Sequence, residues 1–210
     1  MRNTFLTIGI AAAIISMSAC TKQPLNHLTD DESRLYISNH DDSVSFNAFK
    51  TFSIADSVAV ISNNRLRGKA LTDVDSAYIN AVKQQMIQKG YTLVANNQSP
   101  DLGVDVSRIY NTYTGVVDYS GYGGDYYGYW DPYYWGFPGY GYYFPSYGVY
   151  QVSEGALEVD ILDLKDASAD KQIKDIWSGL IRGTGVFDVA NAQSGVQSLF
   201  DQSSYLKTGQ

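Results

Sequence analysis

One block of thirty-two consecutive residues, Tyr119 to Tyr150, divides this chain, and any fold has to be assembled around it. The block holds 12 tyrosines, 8 glycines, 3 prolines, 2 tryptophans and 2 phenylalanines, and its only charges are Asp125 and Asp131. No apolar spacing of two or of 3.6 residues persists through it, and glycine at this density makes an ordered backbone costly in chain entropy. It therefore reads as a loop insertion, and a loop this long inside a domain is usually functional or disordered. Regular elements have to come from the two flanking segments.

Upstream, Phe46–Ile54 is rich in aromatic and β-branched residues and predicts a strand, with Val58–Ile61 as a second, short one. Thr72, three residues before Asp75, predicts a helix start close to a capping box. Val74, Tyr78, Ala81, Val82 and Met86 follow at helical spacing, and Gly90 closes the helix. Tyr91–Val94 predicts another short strand. Leu102, Val104 and Val106 alternate with Asp101, Gly103, Asp105 and Ser107, and Leu157, Val159 and Ile161 alternate with Glu158 and Asp160. Each pattern predicts a strand with one face in water, and the two strands, one on each side of the block, are able to pair as neighbours. Lys165–Gln172 reads as a polar turn and Ile173–Val186 as a returning strand, where Gly179, Gly183 and Gly185 suggest a bulge or close backbone contact. Val196, Leu199 and Phe200 mark a C-terminal helix. The expectation is a single α+β domain over residues 46–206. It has a mainly antiparallel sheet, one long helix, a C-terminal helix and the Tyr/Gly-rich loop insertion at 119–150.

The N-terminus predicts an address. Arg2 precedes a short apolar stretch, Phe5 to Ile15, too short for the roughly 20 residues of a spanning helix and suited to a signal peptide. Ser18-Ala19-Cys20 follows, resembling the lipobox of bacterial lipoproteins, with Met17 where leucine is commonest. Residues 1–19 are thus expected to be a lipoprotein signal peptide, cut between Ala19 and Cys20, with palmitate-type acylation at Cys20. Cys20 is the only cysteine in 210 residues, so the domain forms no internal disulfide. Residues 20–45, polar and rich in acidic side chains, are expected to be a flexible tether. Thr21 lacks the aspartate of inner-membrane retention and no acidic cluster directly follows Cys20, so the expected location is the outer membrane, facing the periplasm. Cleavage removes Arg2 and no acidic residue, which takes the formal net charge from −7 to −8. That acidity argues against nucleic acid as a partner.

Phe49-Lys50-Thr51-Phe52, Lys89-Gly90-Tyr91, Pro100-Asp101-Leu102, the Tyr/Gly/Trp insertion, Glu154-Gly155-Ala156-Leu157 with Asp160 and Asp163, and Trp177-Ser178-Gly179 occur in this order. Together they resemble an uncharacterised family of bacterial envelope lipoproteins, a domain of unknown function, over roughly Phe46 to Leu206. The resemblance implies an α+β lipoprotein domain, often with an aromatic-glycine insertion, and brings no activity, cofactor or catalytic residue.

Chemistry-bearing residues are sparse. His27 and His40, the only histidines, fall in the expected tether, and Cys20 is consumed by lipid, so histidine or thiol catalysis and a histidine-centred metal site are not expected. Glu158 and Asp160 share a strand face and could serve acid–base or Ca²⁺ chemistry, giving the alternative of an envelope hydrolase or a Ca-dependent or glycan-binding protein. The preferred reading places them on the wet face of an amphipathic strand, with no cofactor and no metal. The expected interaction surface is the aromatic block, through Tyr126, Tyr127, Tyr129, Trp130, Tyr133, Tyr134 and Trp135, toward an envelope protein or a glycan. Asp42-Ser43-Val44 resembles an Asp-Ser-apolar acceptor for O-glycosylation at Ser43. The overall expectation is a non-enzymatic, lipid-anchored envelope protein, held to the membrane through Cys20.

Overall fold

The computed structural model describes residues 33–63, 65–110, 130–143 and 155–209. Among them, two strands carry most of the sheet: β6 (Leu102–Tyr110) and β8 (Ala156–Asp163), which pair antiparallel across the insertion from Leu102↔Asp163 to Ile109↔Ala156. The strands on either side of the aromatic block are thus direct neighbours. β9 (Gln172–Arg182) adds antiparallel to β8, with an irregularity between Ile161 and Leu162. On the other side of β6 lie β2 (Thr51–Ile54) and β3 (Val58–Ser62), both parallel to it and consecutive along its length. β5 (Thr92–Leu93) pairs with β2, and β4 (Arg65–Ala70) forms a hairpin with β3. The long ladders are antiparallel and the short ones parallel, in a sheet of nine strands.

One face of this sheet carries the two longer helices. α1 (Asp73–Gln88) starts with the capping box that Thr72 and Asp75 predict. The Asp75 carboxylate accepts the Thr72 backbone N–H at 2.7 Å, and the Thr72 hydroxyl accepts the Asp75 N–H at 3.4 Å. The other Asp75 oxygen lies 2.9 Å from Arg108 Nε on β6, tying the helix start to the sheet. Gly90 follows the helix at φ +97°, the left-handed stop expected of it. α3 (Ala192–Gln202) lies beside α1, burying Val196, Leu199 and Phe200. Between helices and sheet lie Phe52, Leu102, Val104, Val106, Leu157, Val159, Ile161 and Trp177, every one at 1% exposure or less. The Trp177 indole N–H donates to the Ser203 hydroxyl at 2.9 Å, so its one polar atom is satisfied. A Cβ at Gly179 would lie 2.4 Å from the Trp177 ring, which makes this glycine a close-packing position rather than a bulge.

Several expectations are corrected. The tether expected over 20–45 ends earlier, because Leu35–His40 is a strand, β1, paired antiparallel with β9 from Leu35↔Arg182 to His40↔Trp177. Its residues look like linker in composition, but the unpaired edge of β9 offers them a full backbone ladder. His40 is accordingly part of the domain, stacked on Tyr205 at 3.8 Å. The strand expected over Phe46–Ile54 begins only at Thr51, and Phe46–Ala48 is a 3-10 turn that buries Phe46. The polar turn after β8 contains a single helical turn, α2 (Ala167–Asp170). The C-terminus is engaged beyond residue 206, with the Thr208 N–H donating to the Lys89 carbonyl at 3.1 Å. Among the described residues no helix is long and apolar enough to cross a membrane.

Candidate functional site

The face of the sheet turned away from the helices holds the unusual chemistry. The register sets three rows across β6, β8 and β9: Gly103–Leu162–Asp175, Asp105–Asp160–Ser178 and Ser107–Glu158–Leu180. Four carboxyl side chains from three strands therefore share one face. Asp105, Glu158 and Asp175 are no more than 7% exposed, and Asp160 is half-buried. Glu158 and Asp160 do share a face, as their spacing implies. That face is covered rather than wet, which corrects the expectation for this strand.

Burial pushes the Asp105 carboxyl up to about 7, and the neighbouring Glu158 charge adds to the effect, while Asp160 and Lys69 oppose it. Asp160 is held well above the usual carboxylate range by burial and by the charges of Glu158, Asp175 and Asp105, and its hydrogen bond to Asp105 raises it further. Two carboxyls that hydrogen-bond each other must share a proton. Among the described residues no three histidine, cysteine, aspartate or glutamate side chains are arranged to hold a metal ion.

The described part of the aromatic block packs against the Gly103–Leu162 end of this face. Asp131 opens a 3-10 turn, Pro132–Trp135, its carboxylate accepting the Tyr133 N–H at 2.9 Å, and Gly136 closes the turn at φ +87°. β7 (Gly141–Tyr143) then pairs parallel with Gln172–Lys174 of β9. This staple lays Trp130 and Trp135 on Ala55, Leu162, Leu164, Ala167 and Ile173 as a second apolar cluster. Tyr134 packs edge-on against Trp135 at 4.8 Å, and the Tyr142 hydroxyl donates to the Trp130 carbonyl at 2.6 Å. The Lys69 ammonium sits 3.6 Å from the centre of the Trp130 ring, a cation–π contact joining β4 to the cover. Trp130 and Trp135 are therefore core residues at 1% and 3% exposure and not an exposed surface. Tyr134 is half-buried, and Tyr133 alone of the described candidates stands out, at 73% exposure.

Gly103 permits this seating. A Cβ there would lie 3.1 Å from Leu164 and 3.2 Å from the Trp135 ring. Gly103→Val is expected to lift Trp135 and lower stability by about 1–3 kcal/mol. Urea denaturation followed by tryptophan fluorescence reads both effects; an unchanged midpoint would show that the cover does not rest on this glycine.

Ser43 is exposed, its hydroxyl donating to Asp41 at 2.6 Å. Ala19, Cys20, Tyr126, Tyr127 and Tyr129 lie outside the described residues. Sequence reasoning missed Asp175, Ser107 and Lys69. The alternation in β6 and β8 was visible, but which residues of β9 and β4 share their face depends on register.

A family model described as Domain of unknown function (DUF4136) matches residues 37–203. The crystal structure of a DUF4136 family protein from Bacteroides thetaiotaomicron VPI-5482 is similar at 29% identity and a TM-score of 0.67, covering 83% of this chain and 98% of that one. A PelC dodecamer structure from Paraburkholderia phytofirmans matches with a TM-score of 0.40 at 9% identity, over 84% of this chain and 99% of that one. A PDZ domain protein from Parabacteroides distasonis ATCC 8503 matches with a TM-score of 0.41 at 13% identity, over 89% of this chain and 43% of that one. No curated protein matches the chain.

Proposed function

Because the chain belongs to the DUF4136 family, a domain of unknown function, its role has to be read from its own residues, and we propose a lipid-anchored, non-catalytic interaction domain of the bacterial cell envelope. The observation that carries this is Ser18-Ala19-Cys20 behind a short apolar stretch, with the only thiol of the chain at the acylated position. Lipidation there attaches several acyl chains, which hold far more firmly than the marginal grip of one. With β1 starting at Leu35, the intervening residues could reach at most about 50 Å when fully extended. The absence of an aspartate after Cys20 favours the outer membrane, and the lack of an acidic cluster favours its periplasmic side.

The non-catalytic part of the reading draws support from the acid face. Three of its four carboxyls are no more than 7% exposed, where they serve poorly as groups for a substrate to reach. The raised Asp105 and Asp160 carboxyls favour a second reading, an envelope hydrolase using Glu158 and Asp160 as acid and base. Glu158→Ala combined with Asp160→Ala separates the two. An envelope phenotype that survives this double change removes the enzyme.

For the anchor, Cys20→Ser is expected to abolish membrane attachment and leave uncleaved precursor or soluble protein, since the thioether needs sulfur. Metabolic labelling with a fatty-acid analogue checks it. Label retained on the serine variant would overturn the lipoprotein reading.

A further inference from the structure

Beside the aromatic cover, a cleft of about 480 Å³ opens between the Asn96–Gln98 turn, the Trp135–Phe137 end of the cover and the Leu164–Ser168 loop. We propose that this cleft binds a neutral saccharide, which deepens the reading of the chain as an interaction domain by naming its partner class. The volume falls within the roughly 300–1,000 Å³ of ligand pockets.

The lining determines the chemistry. Leu164 and Trp135, both buried, are its apolar walls, and the half-buried Phe137 ring borders it. Around them stand uncharged polar groups. Asn97, Ser99 and Ser168 are exposed, and none has a side-chain partner among the described residues. Asn96 spends its amide N–H on the Tyr134 carbonyl, leaving its buried Oδ1 without a donor from the described residues.

The two charged groups here are already engaged. One Asp101 oxygen accepts the Lys50 and Thr51 backbone N–H groups at 2.6 and 3.2 Å, and the Lys165 ammonium donates to the Ala48 carbonyl at 2.9 Å. What remains is amide and hydroxyl groups beside an aromatic ring. A pyranose presents the matching pair, an apolar C–H face for the ring and hydroxyls that both donate and accept. A phosphate or carboxylate ligand would find a single cation in this lining, Lys165, together with the carboxylate of Asp101. An extended peptide would want an open strand edge for its backbone, and none of the three segments is a strand.

The test uses the full-length protein purified in detergent, titrated with a β-linked glucose tetramer and a β-linked N-acetylglucosamine tetramer. Calorimetry and saturation-transfer NMR are the readouts. At least one tetramer is expected to bind, and Asn97→Ala and Phe137→Ala are each expected to weaken it ten-fold or more. Ile87→Ala, exposed on α1 and outside the cleft, is expected to bind like the parent, and circular dichroism confirms that each variant is folded. Silence with both tetramers, or binding that persists unchanged in both cleft variants, overturns the proposal. Cleavage of a tetramer during titration would instead overturn the non-catalytic reading while leaving the cleft's ligand class intact.

Discussion

Replacing residues 119–150 by a four-residue Asn-Gly turn is expected to unfold the domain or leave it barely stable. Composition alone argues the opposite, because β6 and β8 pair directly and shortening the loop between them costs little closure entropy. The second apolar cluster decides the matter. Trp130 and Trp135 are almost completely buried, and truncating a single buried tryptophan typically costs about 3–5 kcal/mol. Losing both, together with the covered faces of Leu162, Leu164 and Ile173, removes on the order of 5 kcal/mol or more, against a total of about 5–15 kcal/mol for a typical domain. Urea denaturation followed by far-UV circular dichroism reads the outcome. A deletion variant as stable as the parent would show that the cover is an appendage.

The acid face makes the second large effect one of pH. Asp105 titrates near 7 in the folded chain, against 3.8 for an ordinary aspartate, so the folded state holds a proton that the unfolded state has released between those values. Stability is then greatest at the acidic end of this window and falls as pH rises through it, by about 1.4 kcal/mol per pH unit and about 4 kcal/mol in all at most. Asp160, also raised, acts with the same sign. Asp105→Asn supplies a neutral isostere that can still hydrogen-bond Asp160. It is expected to be nearly neutral at pH 4 to 5, clearly stabilising at pH 8, and to flatten the pH dependence between them. Denaturation midpoints at the two pH values measure this. An Asn variant less stable than the parent at pH 8 would mean that the Asp105 charge is favourable where it stands.

Both outcomes mark the boundary of what could be read from sequence. Leu102/Val104/Val106 and Leu157/Val159/Ile161 declared their strands because their alternation is local, and Thr72 with Asp75 declared the helix start for the same reason. Arg65–Ala70 and Leu35–His40 were invisible as strands. They carry charge and polar groups suited to water, and only the free edges of β3 and β9 make them extended. The polar half of the alternation misled. Asp105, Glu158 and Asp160 look like a wet face, yet whether a carboxylate is wet depends on what lies over it. Packed against one end of this face is a segment of repeated tyrosine and glycine, whose composition hides which rings face inward. Trp130 and Trp135 were the available signal, since tryptophan carries the largest apolar area in the block. The acid site was thus half legible: Asp105, Glu158 and Asp160 stand out in the sequence, whereas Asp175 and the burial of the group do not.

The position of β1 has a mechanical corollary. A force travelling along the chain from its N-terminal side reaches the sheet first at Leu35, the open end of an edge strand whose other side has no partner among the described strands. Tension across the strands there acts on one hydrogen-bonded rung at a time, like a zipper, whereas tension along them loads the whole Leu35–His40 ladder in shear. If the strand peels away, the backbone of Trp177–Arg182 becomes a vacant template that another extended segment can occupy. Pulling on such a chain would do more than strain it, because the first strand to yield would expose a docking edge.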